Sequence, residues 1–308
     1  MRRRSARWGW AIVGLLGLCA LLADVIAPAA PSAQHRAHPW HPPEIGAVRV
    51  WHPEAGLRSP FVFDGDGEAL SVWGRPADQR PVYLLGSDGF GRDLLSRILH
   101  GARISLGVGV IGGLLSVGLG WIIGTLAGFF GGAVDFILMR LVEVLMAVPG
   151  LYLVLALRQV FPLEMPSGAI YLMVILALSA VGWAGHARVV RSMTLSLRSA
   201  LFVTAARATG VSRRRIITAH LMPNTAHYVG VTLALQIPAF ILGEIALSFL
   251  GVGVSPPDPS WGNLLKEAHN ILHLVDHPWV LIPAAPLLLT VLGFNWVAEG
   301  LRARGGAH

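Results

Sequence analysis

The chain has 308 residues, of which 54% are hydrophobic and only 13% charged, with a mean hydropathy of +0.61. That composition leaves too little polar surface for a soluble globule and marks an integral membrane protein. The formal net charge of +7 does not mark a nucleic-acid binder, because many basic side chains stand at the ends of apolar runs and no aromatic-basic motif occurs; they read as topology signals.

Arg2, Arg3, Arg4 and Arg7 precede an apolar run from Trp8 to about Pro28, long enough to cross a bilayer with its N-terminus in the cytoplasm. A cleaved signal peptide is the competing reading. A lipoprotein signal at Cys19 is opposed by Leu18, which stands where a small residue is needed. Cys19 is the only cysteine, so there is no internal disulfide. Residues 31–101 turn polar and form an extracytoplasmic segment. Within it 46–52, 60–64, 69–74 and 81–85 are β-prone, with turn chemistry at Asp64-Gly65-Asp66-Gly67, which predicts a small β-rich insert. His35, His38 and His41 are separated by Pro39 and followed by Pro42 and Pro43, which favours a solvated loop over a metal site. Asp64, Asp66 and Glu68 resemble the start of a calcium loop, but Ala69 and Arg75 replace its glycine and closing glutamate. No metal site is expected.

The stretch 85–106 reads LGSDGFGRDLLSRILHGARISL. Asp93 and Arg97 stand four apart and predict a paired, amphipathic surface helix leading into the next span. Gly86, Asp88, Gly91, Arg92, Asp93, Ser96, Arg97, Gly101, Arg103 and Ser105 resemble the Gly-Thr-Asp-x-x-Gly-Arg-Asp-x-x-Ser-Arg segment of dipeptide and oligopeptide permeases, with Ser87 in place of Thr. Interfacial anchoring and direct substrate contact are both open for it. A glycine-rich span follows at 104–130, and a third at 136–161 containing Arg140, Glu143, Pro149 and Arg158. Arg140 and Glu143 are one turn apart and read as an internal structural pair. The run 140–150 resembles the same family, which usually has Asp at 143 and Phe at 148. A fourth span, 169–183, leads through His186, Arg188, Arg191 and Arg198 into a cytoplasmic loop.

That loop, 202–228, has helix-turn-helix grammar. Thr204 can cap a first short helix, Gly210 permits a bend, Ser212 can cap a second, and Pro223 helps stop it. It resembles the coupling loop of binding-protein-dependent importer permeases, Glu-Ala-Ala, three residues, Gly, nine residues, Ile-x-Leu-Pro. Here Thr204-Ala205-Ala206, Gly210 and His220-Leu221-Met222-Pro223 occupy it, with Thr204 in place of Glu and Met222 in place of Leu. His220 and Pro223-Asn224 follow the peptide-importing branch. The resemblance implies that Thr204, Ala205, Ala206, Arg207, Gly210, His220, Met222 and Pro223 couple the chain to an ATPase subunit, with Ala205, Ala206 and Ala208 allowing close docking. A basic loop lying on anionic lipid through Arg213, Arg214 and Arg215 is the bland alternative.

The fifth span, 229–250, carries Gln236, Pro238 and Glu244; Glu244 either lines a translocation path or holds neighbouring helices by hydrogen bonds. Together with Arg140, Glu143, Pro149 and Gln236 it forms the set of translocation or packing candidates. After it, Leu247-Ser248-Phe249-Leu250-Gly251-Val252-Gly253 and Pro259-Ser260-Trp261-Gly262 are similar to the family's Leu-Ser-Phe-Leu-Gly-x-Gly and Pro-x-Pro-Ser-Trp-Gly signatures. Trp261 is expected at the membrane interface. With Gly91, Arg92, Asp93 and Arg97, the residues Pro259, Ser260, Trp261 and Gly262 make up a periplasmic signature, on the side where the family places its binding-protein contact. A last span, 279–301, ends at Arg302 and Arg304.

The fold expected is an all-α integral membrane protein with six transmembrane helices, a cytoplasmic coupling helix and a small β-prone extracytoplasmic insert. It divides into an anchor (1–30), an extracytoplasmic segment (31–101), a five-helix permease core (102–301) and a cytoplasmic tail (302–308). The resemblance implies one permease subunit, the second of two dissimilar ones, of an ATP-driven peptide importer in the bacterial inner membrane, both termini cytoplasmic. Its implied partners are a second permease, two ATP-binding cassette subunits, a periplasmic or lipid-anchored solute-binding protein and membrane lipid, with no nucleic acid. No cofactor and no catalytic residue is expected in this chain: Lys266 lacks the glycine frame of a P-loop, and ATP and Mg belong to the partner ATPases. A nickel importer shares the same signatures and stands as the alternative. A secondary transporter is disfavoured by few deep charges and no internal repeat, and an intramembrane hydrolase by the absence of HExxH and GxSxG.

Overall fold

A computed structural model describes residues 2–44, 51–52, 56–57, 83–160, 166–254 and 257–305. Most of the β-prone insert, including the acidic cluster at 64–68, lies outside them. In chain order the described elements are helices α1 (Arg2–Leu21) and α2 (Ala23–Ile26), strands β1 (Trp51–His52) and β2 (Gly56–Leu57), then helices α3 (Leu94–Phe130), α4 (Gly132–Ala147), α5 (Gly150–Gln159), α6 (Ser167–Arg198), α7 (Leu201–Ala208) and α8 (Arg213–Arg215). A π-helical stretch (Ile216–Leu221) joins α8 to α9 (Met222–Phe249); α10 (Trp261–Glu267), α11 (Ile271–Asp276), a 3₁₀ turn (Pro278–Leu281) and α12 (Ala284–Gly305) complete the chain. The two strands form one antiparallel pair with Trp51 opposite Leu57. Residues 84–85, expected to be β-prone, form a turn.

Four helical runs among the described residues are long and apolar enough to cross a membrane: Leu94–Phe130, Ser167–Arg198, Arg213–Phe249 and Pro278–Ala303. Ser5–Leu21 is a shorter apolar helix. The third expected span is not one straight helix: Gly132–Ala147 and Gly150–Leu157 meet at 91°. The break falls where Pro149 removes an N–H and forces its predecessor out of helical geometry, Val148 having φ −99° and ψ 130°. The helix α6 continues well past the expected end at 183, so His186 is inside it.

The chain forms two compact units. One comprises residues 1–10, 108–243 and 292–308; the other 11–107 and 244–291. In the first, glycines every four residues let α3 and α6 meet backbone to backbone. A Cβ on Gly120 would fall 2.6 Å from that of His186, and one on Gly128 would fall 2.7 Å from that of Thr194. On Gly124 it would meet the Ala187 carbonyl and stand 2.8 Å from the Val190 Cβ. In the same unit Gly9 packs against the α12 backbone at Gly293 and Val297.

In the second unit the end of α1 is held by α3. Arg103 donates from Nε to the Ala20 carbonyl (2.5 Å) and from Nη2 to that of Leu21 (2.8 Å), satisfying carbonyls that a helix end leaves open. It also pairs with Asp24 at 2.8 Å, which His100 reaches at 3.0 Å. The end of α9 is closed the same way by backbone alone: Gly251 has φ 77°, and the Gly251 and Val252 amides return to the Ser248 and Leu247 carbonyls at 3.1 and 3.0 Å.

The glycine seam gives a direct test. Gly124→Ala forces a methyl into backbone contact and lowers the melting temperature of the purified protein in detergent, at a cost of about 1–3 kcal/mol. Gly118→Ala, where a Cβ meets nothing within 4 Å, leaves it unchanged or slightly raised.

Candidate functional site

The signature residues of the second unit converge on one buried ion cluster. Asp88 has no exposure, Arg97 is 1% exposed and Arg92 4%. One Asp88 oxygen accepts from the Phe90 and Arg92 amides at 2.8 and 3.0 Å. The other accepts from Arg92 Nε at 2.6 Å and from Arg97 Nη1. Two guanidiniums on one carboxylate leave a positive charge over, and Glu267, at the end of α10, supplies the second anion. Its Oε1 stands 3.6 Å from Arg97 Nη1 and 3.9 Å from Arg92 Nη2. With Glu267 ionised the cluster carries two positive and two negative charges, the pairing that burial favours.

Asp93 does not pair with Arg97 as the i, i+4 spacing suggested. It sits just outside α3 as its N-cap and accepts from both the Ser96 amide and hydroxyl at 2.6 Å. Nor is this a surface helix, since Asp93, Ser96 and Arg97 are all buried. Gly91 has φ 70°, and a side chain there would collide with the His35 carbonyl.

Glu267 is held in place by the second signature. Ser260 and Asn263 form a reciprocal capping box at 3.1 Å each way that starts α10. Trp261, expected at the interface, is instead fully buried, because both its N–H groups have partners inside: the amide donates to Ser105 Oγ and Nε1 to the Ile98 carbonyl, each at 3.1 Å. Ser105 in turn donates to Glu244 Oε2 at 3.3 Å, while Ser248 donates to Oε1 at 2.7 Å. Glu244 thus ties α3, α9 and α10 together through hydrogen bonds. Pro259 is buried, and a Cβ on Gly262 would stand 2.9 Å from both Ile245 Cα and Ser248 Cβ.

Electrostatics at the edge of this cluster follow from burial. Glu267 is pushed up to about 7, first by desolvation and then by the Asp88 charge, against the pull of Arg97 and Arg92. Asp88 makes the shorter bonds to both arginines, so Glu267 is compensated only at longer range. Burial likewise pushes Asp93 up to about 6, opposed by its bonds to Ser96.

In the first unit the 201–223 segment folds as a helix, a glycine turn and a capped restart. Val203 and Ala206 are buried against Phe129, Ile216 and Leu221. Thr204, Ala205, Arg207 and Ala208 are exposed. Ala206 therefore packs inward and does not belong to the outer face that Ala205 and Ala208 share. Thr204 is not the cap: Ala200 precedes the helix, and the Thr204 hydroxyl donates back to its carbonyl at 3.2 Å. Gly210 has φ 78°, with its own amide and that of Val211 returning to the Arg207 and Ala206 carbonyls at 3.1 and 3.0 Å. Ser212 caps α8, accepting from the Arg215 amide. Pro223 does not stop the helix. The π stretch just before it shifts the hydrogen-bond register, so the missing N–H is absorbed and the helical run Arg213–Phe249 continues. His220 faces the Phe202 ring at 6.3 Å, Met222 is half-buried, and Arg207 lies over the Phe129 ring at 5.3 Å.

The other intramembrane candidates are scattered. Arg140 and Glu143 do pair, at 3.1 Å, but are 71% and 53% exposed, so the pair is not internal to this chain. Pro149 is exposed at the bend, and Gln236 is half-buried in α9. Three contributors carried no local signal: Glu267, whose partners are about 170 positions away, Ser105 as a relay, and the inner packing of Ala206. A bidentate Arg191–Asp135 pair joins α6 to α4.

Long apolar helices, one polar, glycine-turned segment between them and a buried ion cluster define a predominantly helical, multi-pass membrane protein. Residues 119–304 match the model of the binding-protein-dependent transport system inner membrane component. An oligopeptide transport system permease protein OppC of Haemophilus influenzae is 42% identical over 221 residues, 71% of this chain and 68% of its own. The proteins of the same name from Bacillus subtilis and Mycobacterium tuberculosis are 37% and 41% identical over 229 and 219 residues, 73% and 71% of this chain and 72% and 73% of theirs. The chain belongs to the binding-protein-dependent transport system inner membrane components.

The raised Glu267 group sets a pH dependence. Between its ordinary value of 4.5 and about 7 the folded chain holds a proton that the unfolded chain has released, so stability is highest below that interval and falls as pH rises through it. Thermal unfolding of the detergent-purified protein from pH 4.5 to 8 follows this decline, worth at most about 3 kcal/mol. Glu267→Gln flattens its upper part; a variant with the wild-type slope would remove Glu267 from that role.

Proposed function

We propose that this chain is one of two permease subunits of an ATP-driven, binding-protein-dependent importer of peptides in a bacterial inner membrane. The peptide assignment rests on the oligopeptide permeases it is 37–42% identical to. The single observation that carries the mechanism is the form of the 201–223 segment. Its first helix is anchored by Val203 and Ala206 and turns its other face outward. After the Gly210 turn, the restart at Arg213 runs on to Phe249 without a break. A displacement delivered to α7 is thereby passed into a membrane helix with no loose linker between them.

In this reading the chain makes six passes, Ser5–Leu21 being the first and the bent pair at Pro149 the third, with both termini and α7 in the cytoplasm. Arginines at 2–4, 7, 188, 191, 198, 207 and 213–215 support that orientation. Two ATPase subunits bind ATP and Mg and receive α7 through Thr204, Ala205, Arg207 and Ala208. Their closure moves α8–α9 and switches access across the membrane. A solute-binding protein delivers peptide on the opposite side, where the Asp88 and Glu267 cluster keeps the α3 entrance and α10 rigid.

A cysteine at Ala205, in a Cys19→Ser background, crosslinks to the ATPase subunit in the assembled importer, whereas one at buried Ala206 does so at least several-fold less. Ala205→Trp abolishes ATP-dependent peptide uptake with insertion intact. Capture of lipid alone, with uptake preserved in Ala205→Trp, would return the segment to membrane binding.

A further inference from the structure

The helix α11 has two faces of opposite chemistry. Its inner face is fixed by an aromatic layer: His277, just past its end, stacks on Trp40 at 4.7 Å with the rings 3° from parallel, and His273 meets the same ring at 4.7 Å. Trp40 holds a φ of 55°, unusual for a side-chain-bearing residue, with its ring on Gly89. The rotation that turns His273 inward turns three aliphatic side chains outward. Ile271 is 74% exposed, Leu272 69% and Val275 74%, and their spacing of three and four places them on one flank.

The position of that flank identifies what covers it. Beyond Asp276 and His277 the chain enters the membrane-crossing run Pro278–Ala303. Its first turn already carries the outward Leu281, 46% exposed, followed by Leu288 at 61% and Leu289 at 43%. Val275 is six residues before Leu281, across a break at His277 (φ −134°, ψ 65°), so at most about 20 Å of chain separates the apolar flank from the acyl-facing start of that run. Trp279, the residue that would ordinarily mark the headgroup boundary, is half-buried and donates from Nε1 to the Ser87 carbonyl at 3.0 Å.

We propose that α11 lies in the membrane interface, with Ile271, Leu272 and Val275 in the acyl boundary and Asp276 in the aqueous headgroup layer. The occupant of this face is phospholipid. The helix fixes the depth of the last span and, through the Trp40 stack, docks the 35–44 segment on the membrane surface. This rests on the chain crossing the membrane and not on the peptide reading above.

Single cysteines at Leu272 and Val275, and one at Asp276, each in a Cys19→Ser background and labelled with NBD, test it in the importer assembled with its other subunits in phosphatidylethanolamine–phosphatidylglycerol nanodiscs. At Leu272 and Val275 the emission is blue-shifted and quenched at least threefold more by 5-doxyl lipid than by aqueous iodide. At Asp276, on the polar edge of the same flank, iodide quenches at least as strongly as the lipid. Iodide quenching of all three alike would overturn the proposal. So would a blue shift at Leu272 and Val275 that 5-doxyl lipid leaves unquenched, the mark of a covering protein. Two sites on one flank keep the result readable if one variant fails to assemble.

Discussion

Asp88 is a single carboxylate asked to neutralise two buried guanidiniums, and the frame of the second unit follows from how that debt of charge is met. Asp88 bonds both arginines and two backbone amides, so it has nothing left to give. The remaining positive charge has to be met from elsewhere in the chain, and only a helix ending beside the cluster can bring an anion there. The capping box at Ser260, the burial of Trp261 and the relay from Ser105 to Glu244 are the means by which α10 arrives with Glu267 in register. Removing either partner of such a cluster leaves an uncompensated ion out of water, which costs about 3–5 kcal/mol. In the first unit the contact of α3 with α6 is made without charge: glycines at 120, 124 and 128 bring the two helix backbones close enough for dispersion to hold them.

The sequence made some of this legible and hid the rest for identifiable reasons. Apolar runs located the membrane helices, because hydropathy needs no knowledge of neighbours. Gly210 and Ser212 were readable as turn and cap, since both act through their own backbone. Thr204 is not the cap because a helix start is set by the last residue to keep extended geometry, here Ala200, and a threonine can equally bond backwards from within a turn. Asp93 and Arg97 have helical spacing, but Asp93 stands outside the helix and spends its oxygen on Ser96. Trp261 has the composition of an interfacial residue; only the tertiary positions of Ser105 and Ile98 show that its N–H groups are satisfied inside. Pro149 was visible as a proline, yet a proline can kink a span or break it, and the sequence does not distinguish a kink from the 91° turn found here.

Membership of the binding-protein-dependent transport family gives the 201–223 segment its meaning, and the burial pattern refines it. Small residues in such a segment serve two purposes that sequence cannot separate. Ala205 and Ala208 leave the outer face low, whereas Ala206 is small because Phe129, Ile216 and Leu221 close over it. Substitutions at adjacent alanines therefore report on different things, one on the exposed outer face and the other on the seat of the helix itself.

The π-helical stretch Ile216–Leu221 sets how the two ends of the helical run Arg213–Phe249 are turned relative to each other. A widened turn of this kind amounts to one residue more than an α-helix needs for the same length. Deleting a single residue from it would restore ordinary helical phase at the expense of turning everything on its N-terminal side by roughly 100° about the helix axis. Arg213, Arg214 and Arg215 would then point to a different quarter of the compass while the membrane portion of α9 stayed where it is. The extra residue thus acts as a phase setting between the exposed, arginine-bearing start of the helix and its apolar run.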